Sequence, residues 1–233
     1  MEEIIKVSNL TKAYGRHVVL DDVSFSLGKN QIIGLLGPNG CGKTTLIKSM
    51  TGLIKDYEGE ILIDGDRPGV VTKAKIAYLP ESSYLPSWMR PIDAIKYFSD
   101  FYEDFDSLKA ERMMKDFGLD RTQKIKTMSK GQKEKISLIL VMCRKAQLYI
   151  LDEPLGGVDP AAREQILDLI MKNYAENSTV LMSTHLIHDI EPVLDRALMI
   201  SNGKVVLNES VEEIKCHGKT VEDIFKEVFA YAW

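Results

Sequence analysis

A chain of 233 residues with 27% charged residues and a formal net charge of −4 has an ordinary soluble surface and enough length for one sizeable core with a smaller lobe. That balance excludes the basic excess of a nucleic-acid binder, and no apolar stretch reaches the roughly 18 residues needed to cross a bilayer. Three scattered cysteines, Cys41, Cys143 and Cys216, form neither a metal pattern nor an even disulfide framework.

The start, Met1-Glu-Glu-Ile-Ile, is acidic and lacks a basic region followed by a long apolar one, so no secretory leader is expected and a reducing cytosol fits the cysteines. Ile5 and Val7, then Val19, Val23 and Phe25, interleave with polar residues, which predicts half-buried strands. The apolar run Gln31-Ile-Ile-Gly-Leu-Leu36 leads directly into Gly37-Pro38-Asn39-Gly40-Cys41-Gly42-Lys43-Thr44-Thr45. This is the G-x-x-x-x-G-K-[ST] spacing of a phosphate-binding loop. Its glycines lack the Cβ that would stop the backbone curling round a phosphate. The curled loop turns N–H donors inward at the start of a helix, predicted over Thr44–Gly52, where the macrodipole also favours an anion. Lys43 supplies a point charge for β/γ oxygens and Thr44 a hydroxyl for Mg²⁺. Cys41 sits where a helix start lowers a thiol pKa, but it reads first as a small filler.

Glu60-Ile-Leu-Ile63 and Lys75-Ile-Ala-Tyr-Leu79 read as short strands. From about Pro86 to Arg144 the texture is helical, with Pro91 suited to a first turn and Ile92, Ile95, Ser99 and Tyr102 on one face. Within it, Ser129 opens a capping-box pattern with Gln132, followed by Ile136, Ile139, Leu140 and Cys143 at helical spacing. Leu148–Leu151 and Thr179–Met182 are apolar runs suited to buried parallel strands. Between them a helix is expected, with Asp159 as N-cap, Pro160 first, and Ile166, Leu169 and Ile170 on one stripe. The tail residues Val221, Ile224, Phe225, Val228 and Phe229 have an amphipathic helix's spacing, for packing on the chain's own body or for a dimer contact. His17, His188 and His217 match no ligand spacing and read as surface or packing residues, and Met113-Met114 as core filler. The sum is an α/β sheet with a helical segment inserted in its middle. We expect one domain over 1–233, its helical subdomain at about 84–145 and a short helical tail at about 210–233.

The run ending at Leu151 is followed by Asp152 and Glu153. Successive side chains of a strand point to opposite faces, so the two acids are expected to differ in job: Asp152 in a Mg²⁺ shell, Glu153 toward an attacking water.

With these residues in view the chain, from about residue 3 to about residue 208, resembles an ABC-type ATPase, the nucleotide-binding subunit of ATP-binding cassette transporters. Met128-Ser129-Lys130-Gly131-Gln132 is similar to the family's signature, Leu155-Gly-Gly-Val158-Asp159 sits where its D-loop lies, and Ser183-Thr184-His185 matches its switch histidine. Tyr14 lies at the usual distance before the P-loop for the aromatic that stacks on adenine. The resemblance implies a P-loop NTPase fold with a mixed sheet core, an N-terminal antiparallel β part and an inserted helical subdomain. It implies ATP bound by Tyr14 and by Gly37 to Thr45, Mg²⁺ held by Thr44, Asp152 and Glu81, and hydrolysis by Glu153 with His185. It also implies a second nucleotide-binding subunit, identical or related, whose Ser129, Lys130, Gly131 and Gln132 would close over the ATP in trans, with Asp159 in the D-loop between them.

Two departures stand out. Met128 and Lys130 replace Leu and Gly of the usual signature; Lys130 places a cation near a helix N-terminus, which would strengthen its pull on an anion. Glu81 replaces the glutamine of the Q-loop, and a carboxylate binds Mg²⁺ harder while repelling a γ-phosphate. Family branches that resemble simple export systems carry Glu there. The expectation is therefore a peripheral subunit on the cytoplasmic face of the cell membrane, hydrolysing ATP to drive a separate membrane-spanning permease, leaning toward export, with no nucleic acid. Tyr84 and Trp88 stand where the family meets that permease, or else pack the lobe. The alternatives are a soluble non-transport ATPase of the same type and a regulatory module that only dimerises on ATP.

Overall fold

The computed structural model describes residues 2–230. Two long strands, β1 (Glu3–Tyr14) and β2 (His17–Gly28), form an antiparallel hairpin around Gly15 and Arg16, with Ile5, Val7, Val23 and Phe25 turned inward. The run after it forms β3 (Ile32–Leu36), buried at every position. The P-loop then opens α1 (Lys43–Met50), and β4 (Glu58–Ile63) pairs with the free side of β1. A six-residue helix, α2 (Val70–Lys75), which the sequence reading did not mark, precedes β5 (Ile76–Leu79). Lys75 therefore ends a helix rather than starting a strand, its ammonium held by Asp64 and Asp66.

The helical insert is α3 (Pro91–Phe101), α4 (Ser107–Asp116) and α5 (Lys130–Met142). Pro91 occupies the first turn as expected, although helix begins there rather than at Pro86. Phe98 faces inward among Tyr102, Phe105 and Tyr84, and the Tyr84 hydroxyl reaches the Ser137 carbonyl at 3.5 Å. Trp88 stays outside, 66% exposed. The chain returns as β6 (Leu148–Asp152), α6 (Pro160–Asn173), β7 (Thr179–Thr184), the single turn α7 (Ile187–Ile190), β8 (Arg196–Ser201), β9 (Lys204–Ser210), α8 (Val211–Cys216) and α9 (Val221–Phe229). Asp159 caps α6 by accepting from the Ala162 N–H. The last helix buries Val221 and Phe229, packs Ile224 and Phe225 partly against the core and lies on α7 and β8, so most of the tail's apolar stripe faces its own body while Val228 stays exposed.

Strand order decides where the loops meet. One sheet is β2-β1-β4 and the other is β5-β6-β7-β3-β8-β9, parallel except for the edge strand β9. Both faces of β3 are covered: Ile33 and Leu35 point into the core between the two sheets, Ile32 and Leu36 into the core shared with the insert. α1 lies between the sheets through Leu46, Ile47 and Met50. Because β6, β7 and β3 are parallel neighbours, Asp152, Thr184 and Leu36 end at one carboxyl edge, the usual place for a site in such sheets.

Arg144 fastens the insert to this sheet. It is 5% exposed, pairs with Asp104, donates to the Ile76 and Ala74 carbonyls, and lies on the Tyr102 ring. Truncating one member of a buried ion pair costs about 3 kcal/mol, so Arg144→Met should lower the thermal midpoint by about 6–12 °C in a domain of this size. An unchanged melting curve would contradict this account of the junction.

Candidate functional site

The P-loop is shaped by collisions that only glycine avoids. A Cβ on Gly37 would strike the Ile200 carbonyl oxygen and the Cys41 sulfur, and Gly42 caps α1 in the left-handed region at φ +111°. Lys43 is buried and bends back, donating to the Gly37 carbonyl at 2.8 Å and to that of Pro38 at 3.2 Å. Thr44, next along α1, donates to Asp152 Oδ1 at 3.4 Å. Cys41 belongs to the core between the sheets. Burial pushes its thiol pKa up against the pull of Lys43, so the expected lowering at a helix start does not occur and the filler role stands.

Asp152 Oδ1 also accepts from Ser183 Oγ at 2.6 Å, while burial raises the carboxyl pKa. Glu153 departs from the strand. Its φ of +49° is left-handed, a conformation costing about 1–3 kcal/mol for a non-glycine residue. It is pinned by its own N–H donating to both the Ser183 carbonyl and Ser183 Oγ, and by its carbonyl accepting from Gly156. The consequence corrects the expectation of opposite faces: both acids reach the P-loop, Asp152 toward Thr44 and Glu153 Oε1 to 3.5 Å from Lys43 Nζ. His185 Nδ1 meets Glu153 Oε2 at 3.1 Å.

Asp152 Oδ2 and Glu153 Oε1 are buried with no hydrogen-bond partner among the described residues. Two more such atoms, Glu134 Oε2 and Ser137 Oγ of α5, belong to residues lining the same small cavity, of about 40 Å³, which Glu81 also borders. Unsatisfied buried polar atoms each cost about 1–3 kcal/mol, so four around one cavity mark a place shaped for polar guests. Sequence reading missed Glu134 and Ser137, one and two turns beyond the Ser129 cap. The turn spacing was available, but nothing local tied it to the acids 15 residues on.

Ser129 and Gln132 form the predicted capping box, with reciprocal bonds of 3.2 and 2.9 Å, and Gly131 has open space above it. The structure brings this segment beside Gly157, Val158 and Asp159 of its own chain; no P-loop residue borders the cavity they share. The Lys130 ammonium lies against Gly157 and 3.7 Å from Glu134. Its cation is therefore partly engaged within the chain, which tempers the expected extra pull on an anion. Tyr14 ends β1 half exposed, with Lys12 Nζ 4.7 Å above its ring.

The model of the ABC transporter family matches residues 20–156. An uncharacterized ABC transporter ATP-binding protein of Methanocaldococcus jannaschii is 34% identical, over 92% of this chain and 80% of its own. The SkfA peptide export ATP-binding protein SkfE of Bacillus subtilis is 31% identical over 88% of each chain. A lantibiotic transport ATP-binding protein, SrtF of Streptococcus pyogenes, is 28% identical over 91% of this chain and 95% of its own. Among solved structures, an ATP-binding subunit of an ABC transporter superposes with a TM-score of 0.84 at 27% identity, covering 96% of this chain and 98% of that one.

The thiols give a direct check on the site's packing. Cys216 is exposed, whereas Cys41 and Cys143 are buried, the latter with its pKa pushed up to about 12 by burial. Maleimide at neutral pH should label Cys216 alone in the native chain, by peptide mass spectrometry. Rapid labelling of Cys41 that ATP blocks would mean the loop is open to solvent.

Proposed function

The chain belongs to the ABC transporter family as an ATP-binding subunit that hydrolyses ATP in step with transport, and from that premise we propose how its residues share the work and what they drive. The observation that carries the reading is the buried acid pair beside the P-loop: Asp152 Oδ2 has no hydrogen-bond partner among the described residues while Oδ1 reaches Thr44, and Glu153 Oε1 faces Lys43 Nζ at 3.5 Å with no hydrogen bond of its own. One suits a hard cation, the other a water.

ATP lays its phosphates over the P-loop from Gly37 to Thr45, and its adenine on Tyr14. Lys43 exchanges the carbonyls of Gly37 and Pro38 for β/γ oxygens, an exchange of neutral for charged acceptors. Mg²⁺ fits the oxygen donors present: the Thr44 hydroxyl, Asp152 and, from the far side of the cavity, Glu81. Among the described residues no cluster of three or more His, Cys, Asp or Glu could hold a metal by itself. When bound, Mg²⁺ neutralises charge developing on the phosphoryl oxygens. Glu153, held by Ser183 and flanked by His185, takes the proton of the attacking water. His185 holds that carboxylate in line, and Lys43 with the loop amides stabilises charge as the bond breaks.

No P-loop residue borders the cavity that the signature segment shares with the D-loop. That arrangement supports a second cassette placed head to tail, whose Ser129, Lys130, Gly131 and Gln132 would close over the phosphates while Asp159 lines the seam. Because neither half alone neutralises ATP, the nucleotide holds the subunits together until hydrolysis releases them.

No helix among the described residues is long and apolar enough to cross a membrane; membership of a transporter family supports a separate membrane-spanning partner. A groove of about 450 Å³ between insert and sheet, bordered by Leu53, Tyr78, Tyr84, Phe98 and Tyr102, supports docking of a permease helix there, at the cytoplasmic face of the membrane. Relatives named for peptide export and lantibiotic transport, together with Glu81, support export.

Glu153→Gln should lower turnover by ~10²–10⁴, the range for losing a general base. Purified from membranes with ATP, that variant should accumulate as a dimer carrying a hydrophobic protein. Wild-type turnover would remove Glu153 from its role, and a dimer without any membrane protein would favour the soluble ATPase. Titrating Mg²⁺ checks the metal shell separately: Glu81→Gln should need more Mg²⁺ for half-maximal hydrolysis, and an identical curve would take Glu81 out of it.

A further inference from the structure

Arg163 stands outside the phosphate loop, the acid pair and the switch histidine, yet it joins two segments that serve them. It lies in the first turn of α6, four residues after the Asp159 cap, where a helical side chain leans back over the preceding turn. Its Nε–H donates to the Val158 carbonyl of the D-loop at 3.1 Å, and its Nη1 donates to Asp189 Oδ2 at 2.9 Å. Asp189 belongs to α7, four residues beyond His185. Arg163 and Asp189 are 25% and 28% exposed, which shields the contact from water on most sides.

A guanidinium is a rigid plane with fixed donor directions. When one donor is held by the D-loop and another by α7, both distance and angle between those segments are set. A lysine ammonium is a point charge on a flexible stem and cannot do this. α7 is anchored beneath by Ile187 and Ile190, both buried, and the Leu186 N–H donates to Thr184 Oγ1, so little slack separates α7 from His185. Further on, Glu191 accepts the N–H groups of Val221 and Glu222 at 2.9 and 3.3 Å, which extends the same body to the start of α9.

We propose that Arg163 is a positioning residue for ATP hydrolysis. By gripping Val158 and Asp189 together it makes the D-loop and the His185-bearing segment move as one, so that contact made at the D-loop sets His185 against Glu153. This rests on the reading above, in which the D-loop faces a second subunit and His185 orients Glu153.

The test separates the fork from the charge. Arg163→Lys and Arg163→Met should each lower kcat by about 10- to 100-fold, the scale of a small misplacement of reacting groups. KM for ATP should stay within about twofold, because ground-state binding is untouched. Asp189→Asn keeps an acceptor and should retain most of the rate. Asp189→Leu should match Arg163→Met, and the double variant should be no worse than either. If Arg163→Met fails to fold, Arg163→Lys and Asp189→Leu carry the test from either side. A second readout is hydrogen exchange with Mg-ATP in the Glu153→Gln chain. With Arg163 in place, exchange should slow in residues 156–160 and 185–190 together; with Arg163→Met, in the first segment alone. Wild-type kcat in Arg163→Lys and Arg163→Met, or joint slowing without Arg163, overturns the inference alone. A Glu153→Gln chain that never dimerises on ATP overturns the reading beneath it as well.

Discussion

Parallel pairing of β6 with β7, and of β7 with β3, is the constraint on which this molecule's chemistry depends. The register sets Asp152 beside Ser183 and Leu36 beside Thr184, so three loops far apart in sequence leave the sheet within one layer. Residues 37–45, 152–153 and 185 become neighbours for that reason alone. A one-residue slip of β6 would turn Asp152 away from Ser183 and unseat both acids, because strand side chains alternate.

The acid pair is a problem of charge that the fold solves by geometry. Two adjacent carboxylates, both largely buried, repel each other and are held from water. Ser183 settles part of this: its hydroxyl donates to Asp152 and its hydroxyl and carbonyl both accept from the Glu153 amide. Lys43 supplies the opposite charge at 3.5 Å from Glu153. The left-handed backbone at Glu153 is the conformational cost of turning both acids toward one loop, and strain of this kind gathers at working sites because surrounding contacts over-determine it. Lys43, meanwhile, is satisfied by carbonyls of its own loop, which holds that loop curled before any phosphate arrives.

The insert contributes from the opposite direction. Arg144 locks it to β5, and α5 presents its Ser129 end beside the D-loop, in a cavity that no P-loop residue borders. α5 also closes the back of the acid cavity through Glu134 and Ser137. One helix thus touches the cleft of its own chain with one turn and offers its N-terminus outward with another. Lys130, lying between them against Gly157, is the departure from the family pattern with the clearest structural consequence: a long cation now fills space over a left-handed glycine.

Much of this was legible in the sequence. Motifs whose chemistry is local, such as the P-loop and the Ser129–Gln132 cap, state their own geometry because each needs only neighbours a few residues away. The same holds for the Asp159 cap and the buried runs of β3, β6 and β7, where propensity and burial agree. Short elements escaped: α2 exposes Val70 and Val71 and shows no stripe, and β8 with β9 went unassigned although Asn202-Gly203 between them, both at positive φ, is a two-residue hairpin signal. What only the tertiary structure decided is relational. The shared face of Asp152 and Glu153, the burial that raises the Cys41 thiol, the turning of Lys130 onto Gly157 and the Arg163 fork all depend on contacts between segments distant along the chain or on a backbone torsion that no pattern of residue types announces. Sequence determines which groups are present and the local conformation that near neighbours fix by themselves; only packing determines which groups meet, because a side chain's partners are chosen by strand order and not by spacing.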